Sequence, residues 1–252
     1  MADRPGFVLV TGGAKRVGAA ICRRLAADGW PVLIHYRHSN DEAAALQAEI
    51  VSGGGQASLA AFDLADPDLP SLIAQRVQFG ALAWAGLVNS ASLFDYDDVA
   101  GFSASQLDRH MHVNLAAPVM LLRALHARTK EDARAFAVNL LDQKVFNPNP
   151  DFLSYTFSKI ALAGSLDLLA QRFAPRVRVN AVAPGLLLPS GDQTEENFRK
   201  VHDQTLLGEG ARPEDVADAV AFLAQAERIT GATISVDGGQ RFIASPRDVM
   251  FS

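Results

Sequence analysis

The chain has 252 residues, 49% of them hydrophobic, a formal net charge of -5 and a single cysteine. That length folds as one large domain and buries roughly three quarters of the surface exposed by the unfolded chain, so no disulfide or structural metal is required. Cys22 alone excludes an intrachain disulfide and a cysteine-based metal site, and the acidic balance gives no global attraction for nucleic acid.

Phe7-Val8-Leu9-Val10 reads as a first strand. Val17, Ile21 and Leu25 then recur every four residues, which places them on one face of a helix. Val32-Leu33-Ile34 is the next strand, and Ala43 to Val51 a helix that ends at Gly53-Gly54-Gly55. Ala57 to Phe62 forms a third strand and Leu69 to Phe79 a helix. The longest uncharged apolar run, Gly80 to Val88, falls far short of the ~20 residues of a membrane helix, and within it Leu87-Val88 makes a short fourth strand. Ser103 to Arg128 reads as a long helix and Ala135 to Leu141 as a fifth strand. Phe152 to Phe173 is a second long helix, with Leu162, Leu166, Leu169 and Phe173 at helical spacing. Val177 to Ala183 is a sixth strand. Pro213 opens a helix that carries Val216, Val220 and Leu223 inward, because the missing proline N–H would be unpaired at a first helical position anyway. Thr233 to Val236 is the last strand.

Alternation of strand and helix, with strands apolar on both faces, predicts an α/β fold. The expected architecture is a Rossmann-type doubly wound parallel sheet of about seven strands, helices on both faces, in one domain over residues 1–252. No signal-peptide pattern precedes the first strand, so a cytoplasmic protein is expected, with no metal. In such sheets ligands lie beyond the carboxyl ends of the strands, where strand order reverses. Chemistry is therefore expected just after strands one, four, five and six.

Strand one runs into Thr11-Gly12-Gly13-Ala14-Lys15-Arg16-Val17-Gly18, and a helix follows. Glycines admit a close approach of backbone to a pyrophosphate, and a helix N-terminus offers free N–H groups. A dinucleotide would be held here by Thr11, Gly12, Lys15, Arg16, Val17 and Gly18. An NAD-binding chain places an acid at the end of strand two. This one reads His35-Tyr36-Arg37-His38-Ser39. Tyr36, Arg37, His38 and Ser39, with Lys15 and Arg16 nearby, make a cationic pocket for a 2′-phosphate, so NADPH (NADP) is the expected cofactor. Asp63, followed by Leu64, stands after strand three, placed to meet the adenine; an aspartate taken alone is more often a helix or turn cap.

Tyr155 and Lys159 are four apart at the start of a helix and share a face. An ammonium beside a phenol favours phenolate and lowers the phenol pKa from about 10. Together with the phosphate turn, Asn89-Ser90-Ala91-Ser92, His112-Val113-Asn114, Tyr155-xxx-Lys159, Pro184-Gly185 and Val236-Asp237-Gly238-Gly239 stand in the order and spacing of short-chain dehydrogenases/reductases. The chain resembles that family over nearly its whole length. The resemblance implies that Tyr155, Lys159 and Asn114 are catalytic, with Asn114 holding a water in a proton relay and Lys159 binding the nicotinamide ribose. It implies that Asn89, Ser90 and Ala91 lie along the cofactor and that Pro184-Gly185 passes the nicotinamide. Asn89 and Asn114 read equally as structural hydrogen-bonding residues.

Two departures narrow the resemblance. Asp142 stands 13 residues before Tyr155, where most of the family has a serine, and Arg16 replaces the second glycine of the turn. Both are similar to the pteridine reductases and bacterial dihydromonapterin reductases. That implies an NADPH-dependent reductase of a dihydropterin such as dihydrobiopterin, dihydromonapterin or dihydrofolate, with Asp142 relaying a proton through Tyr155. Burial is expected to raise the Asp142 pKa; the other reading of Asp142 is a loop brace. By the same resemblance Ser92 and Arg16 bond the pterin and Phe94 stacks on it, although Phe94 also suits loop packing. Residues 186–207, with Ser190, Gly191, Asp192 and Thr194, are expected to form a mobile lid over the substrate, and the family implies a homotetramer. The alternatives are a carbonyl reductase of the same family, acting on a 3-oxoacyl or other ketone, and a non-catalytic NADPH-sensing protein.

Overall fold

The computed structural model describes residues 6–189, 193–248 and 251. The strands are β1 (Gly6–Thr11), β2 (Val32–Tyr36), β3 (Ala57–Ala61), β4 (Ala83–Asn89), β5 (Ala135–Leu140), β6 (Val177–Pro184) and β7 (Thr233–Val236). They form one parallel sheet in the order β3-β2-β1-β4-β5-β6-β7. Order reverses between β1 and β4, so the carboxyl ends of those two strands open a crevice.

Side chains alternate across the sheet and fill two cores. Val8 and Val10 pack with Ile21 and Leu25 of α1 (Arg16–Ala27), with α2 (Asn40–Ser52), and with Val216, Val220 and Leu223 of α9 (Pro213–Gln225). Phe7 and Leu9 face the other side, against α3 (Leu69–Arg76), α5 (Ala117–Arg128), α6 (Leu153–Gly164) and α7 (Leu166–Phe173). Among the described residues no helix is long and apolar enough to cross a membrane.

Four elements differ from the sequence reading. The segment 103–128 is not one α-helix: α4 (Ala104–Met111) passes through a π-turn (His112–Ala116) into α5. Pro118 lacks the N–H that an α-helix would send to the Asn114 carbonyl, and the wider turn absorbs that loss. The helix 152–173 breaks at Ser165, whose Oγ donates to the Leu162 carbonyl at 2.8 Å. β4 spans seven residues rather than Leu87-Val88, because it is paired on both edges, by β1 and β5. Within the expected lid, α8 (Glu195–His202) is a formed helix. Thr194 caps it by accepting from the Asn197 N–H at 3.2 Å, and Glu195 and Glu196 stand in its first turn. Ser190, Gly191 and Asp192 lie outside the described residues.

Candidate active site

Two adjoining cavities open at the crevice. The first, of about 400 Å³, is bordered by Gly12, Lys15, Arg16, Val17, Gly18, Arg37, Asp63, Leu64, Ser90, Ala91 and Ser92. Its shape depends on glycine. Gly12 has φ +61°, and a Cβ there would stand 3.0 Å from the Ala91 Cα; a Cβ on Gly18 would overlap the Gly12 carbonyl oxygen. The N-terminus of α1 opens beside this turn, with no side chain capping it. Close backbone approach and free N–H groups fit a dinucleotide pyrophosphate.

Arg16 adopts a left-handed conformation, φ 52°, at a cost of roughly 1–2 kcal/mol. Its guanidinium reaches across the crevice and donates to the Pro189 carbonyl at 3.0 Å. At the far end, Arg37 is exposed, with Nη1 3.7 Å from Asp63 Oδ2, while Asp63 Oδ1 accepts from the Ala65 N–H at 2.8 Å. Asp63 thus caps a turn and lines the cavity at once. Lys15 also lines it and pairs with Glu42 at 2.5 Å.

Several expected cofactor contacts do not border this cavity. Tyr36 is half-buried against the core, and the chain enters α2 directly after Ser39. Arg37, Lys15 and Arg16 are the cationic side chains that border the cavity. Thr11 is buried, its Oγ1 accepting the N–H groups of Ser90 and Ala91 at 3.0 and 3.1 Å. Asn89 donates to Asn139 Oδ1 at 2.8 Å in the register of β4 and β5. Both side chains join strand ends, and the buried Asn89 Oδ1 has no partner among the described residues.

The second cavity, of about 420 Å³, shares Arg16, Val17, Ser90 and Ser92 with the first. Phe94, Asp142, Tyr155, Lys159, Pro184 and Gly185 line it, with Leu186, Leu187 and Leu188. Tyr155 Oη donates to Asp142 Oδ2 at 2.7 Å, and the Lys144 N–H donates to Asp142 Oδ1 at 2.8 Å. Lys159 Nζ donates to the Leu140 carbonyl at 2.7 Å and lies 5.7 Å from the Tyr155 ring centre. Phe94 stacks one face on Phe152 at 4.2 Å and meets Tyr155 edge-on at 4.6 Å.

The helix that carries Tyr155 and Lys159 begins on a strained residue. Phe152 has φ 57°, and its N–H donates to the Asp97 carbonyl at 3.0 Å. The buried Asp97 carboxylate takes the Ser154 N–H and Oγ, and so does the capping that Phe152 cannot. Asn114 is buried at the π-turn. Its Oδ1 accepts from the Leu93 N–H at 2.8 Å, and its Nδ2 donates to the Leu93 carbonyl and Ser158 Oγ at 3.0 and 2.9 Å. Its side-chain amide thus braces the loop that presents Ser92 and Phe94.

Burial raises the Asp142 carboxyl above the usual carboxylate range. The Tyr155 phenol is also raised, first by burial and then by the Asp142 charge. This corrects the expectation that Lys159 lowers it: the ammonium is turned to Leu140, and the phenol stays protonated as a donor. Burial pushes Lys159 down to about 8.

Three contributors went unread in the sequence. His35, taken as part of a basic run, is buried, with its pKa lowered by burial to about 4. Its Nδ1 accepts the Gly12 N–H at 3.1 Å, so Nε2 carries the proton toward the Phe62 carbonyl at 3.0 Å. The neutral ring holds the glycine turn in place. Alternation along β2, which puts His35 on the face of Leu33, was the available signal. Lys144 and Asp248 also line the second cavity; nothing local in the sequence marks them.

The family model described as Enoyl-(Acyl carrier protein) reductase matches residues 12–241. The crystal structure of FolM Alternative dihydrofolate reductase 1 from Brucella suis, in complex with NADP, is 39% identical, with a TM-score of 0.90 over 95% of this chain and 96% of that one. An angucycline C-6 ketoreductase, LanV, solved with bound NADP, is 28% identical with a TM-score of 0.86 and covers 96% of this chain and 100% of its own. The dihydromonapterin reductase of Klebsiella pneumoniae is 24% identical over 240 residues, 94% of this chain and 98% of that protein. With the glycine turn, the Tyr155–Lys159 pair and the strand order in the places that its motifs require, the chain belongs to the short-chain dehydrogenase/reductase family.

Proposed function

We propose that the protein is an NADPH-dependent reductase of a dihydropterin, of the dihydrobiopterin, dihydromonapterin or dihydrofolate type. The observation that carries this reading is the 2.7 Å hydrogen bond between Tyr155 and a buried Asp142 in the second cavity. When bound, NADPH supplies a hydride. Reduction of a C=N bond then needs a proton at nitrogen, and a phenol paired with a carboxyl of raised pKa is a proton donor suited to it. Lys159 keeps positive charge near the phenol and offsets the negative charge left when that proton departs. Arg37, Lys15 and Arg16 hold the 2′-phosphate and pyrophosphate end. Ser92 and Arg16 bond the pterin edge, Phe94 packs on its ring, and Leu186–Leu188 with α8 cover it. Apolar Phe157, Ile160 and Leu168, exposed on α6 and α7, suit burial by further copies in a cytoplasmic homotetramer.

A ketone is the second substrate class, favoured by the likeness to LanV. An aspartate in place of a serine speaks against it, because a carboxyl can accept from the amino and ring N–H groups of a pterin, which a ketone lacks. The test is NADPH oxidation with dihydrobiopterin and dihydromonapterin beside a panel of ketones. Pterin kcat/KM is expected to exceed that of any ketone by about 100-fold, close to 3 kcal/mol at the transition state. Faster ketone turnover would make this a carbonyl reductase; tight NADPH binding with no turnover would make it a sensor.

The pH dependence follows from Lys159. Its ammonium is charged below about pH 8 and neutral above it. Turnover should therefore fall as pH rises through about 8, and a pH profile of kcat checks this. A rate that stays flat to well above that value would mean the Lys159 charge is not used.

A further inference from the structure

We propose that Lys144 is a positioning residue for Asp142, and that it is held in that task by Asp248 of the C-terminal tail. Lys144 acts through both of its ends. Its N–H, the second of the 3₁₀ turn Gln143–Val145, donates to Asp142 Oδ1 at 2.8 Å and so aims Oδ2 at Tyr155. Its ammonium is buried and donates to Asp248 Oδ2 at 2.9 Å and to the Asp151 carbonyl at 3.0 Å. The tail is pinned in turn. Arg247 Nε donates to the Asp151 carboxylate at 2.8 Å, and the Asp248 N–H donates to the same carboxylate at 2.7 Å.

A buried ion pair adds little net stability over well-packed apolar side chains. What this one does is orient. The turn that sets the acid has no other long-range ionic anchor among the described residues, and its anchor comes from the far end of the chain. The pair also balances charge around the reacting groups. Asp142 is faced by Tyr155 and Lys159 from α6, by Lys144 from its own turn, and by Asp248 from the tail wall of the same cavity. Removing the tail carboxylate leaves the Lys144 ammonium unopposed beside Asp142, and removing the ammonium leaves a second carboxylate there. The two substitutions therefore push the acidity of Asp142 in opposite directions, which loss of packing alone does not do.

The proposal rests on the proton-donor reading of Asp142 but not on the pterin; the assay uses whichever substrate the panel identifies. Lys144→Met and Asp248→Asn are compared with the parent and with Asp248→Glu, which keeps the charge. Each of the first two is expected to lower kcat about tenfold, with NADPH affinity within about twofold, and Asp248→Glu to recover most of the loss. The pH limb that disappears in Asp142→Asn should move down in Asp248→Asn and up in Lys144→Met. Should either variant fail to fold, Arg247→Gln loosens the tail from outside the cavity and is expected to lower kcat about threefold at unchanged NADPH affinity. Limbs that move together, kcat and NADPH affinity lost in parallel, or an unaltered Arg247→Gln enzyme would overturn the proposal. Loss of Asp142 dependence itself would instead overturn the proton-donor reading.

Discussion

Tyr155→Phe and Asp142→Asn are each expected to lower turnover by about 10²–10⁴-fold while NADPH affinity stays near that of the parent. Phe keeps the ring against Phe94 but removes the hydroxyl that donates to Asp142 Oδ2. Asn keeps the volume and can still accept the Lys144 N–H, but it has no proton to lose or store. The two groups act as one donor, so the double variant should be little worse than either single one. Stability separates chemistry from collapse. Asp142 has a folded pKa above its unfolded value, so its favourable contribution is present below the unfolded pKa and is lost as pH rises through the folded one. Above that folded pKa the ionised carboxyl is thus a burden on the fold. Asp142→Asn should melt no lower than the parent there, whereas Asp142→Ala strands the phenol and the Lys144 N–H and melts lower. Single-turnover rates on NADPH-loaded enzyme and thermal melts by circular dichroism check both. A parental rate in either variant would remove this pair from the mechanism.

Gly18→Ala is expected to weaken NADPH binding by about 100-fold or more, close to 2.7 kcal/mol, in an otherwise folded protein. The added Cβ would overlap the Gly12 carbonyl oxygen, which is backbone and cannot rotate away. Gly12 itself has little room to retreat. It sits at positive φ against Ala91, and its N–H is held by the buried His35 ring. The turn must therefore open where the pyrophosphate needs its N–H groups. The two cores lie on the sheet faces, away from this end, and should survive. Fluorescence titration with NADPH and a far-ultraviolet spectrum are the measurements; affinity equal to the parent would mean that the turn does not hold the cofactor.

The elements legible in the sequence were those with local signals. Apolar spacing of three or four residues marked α1 and α9, and strands buried on both faces were marked by unbroken apolar runs. Breaks in regular helix were harder to read. The π-turn at His112–Ala116 answers to Pro118, and the break at Ser165 to a side chain that bonds backward, while the apolar period runs on through both. At the site, Tyr155, Lys159 and Asp142 were readable from their order along the chain. Which side chains after β2 border the crevice was not, because one turn of backbone there decides it, and Arg37 is the one that lines the cavity.

By itself the sequence determined the alternation of strand and helix, the glycine turn after the first strand, and an aspartate 13 residues before the tyrosine. Each is a property of near neighbours, and periodicity and spacing record it directly. Only the tertiary structure decided that the phenol stays protonated, that His35 is a neutral brace, and that Lys144 meets Asp248. Those outcomes depend on burial and on contacts between distant segments, because a charge or proton is priced by its surroundings in space and not by its neighbours in the chain.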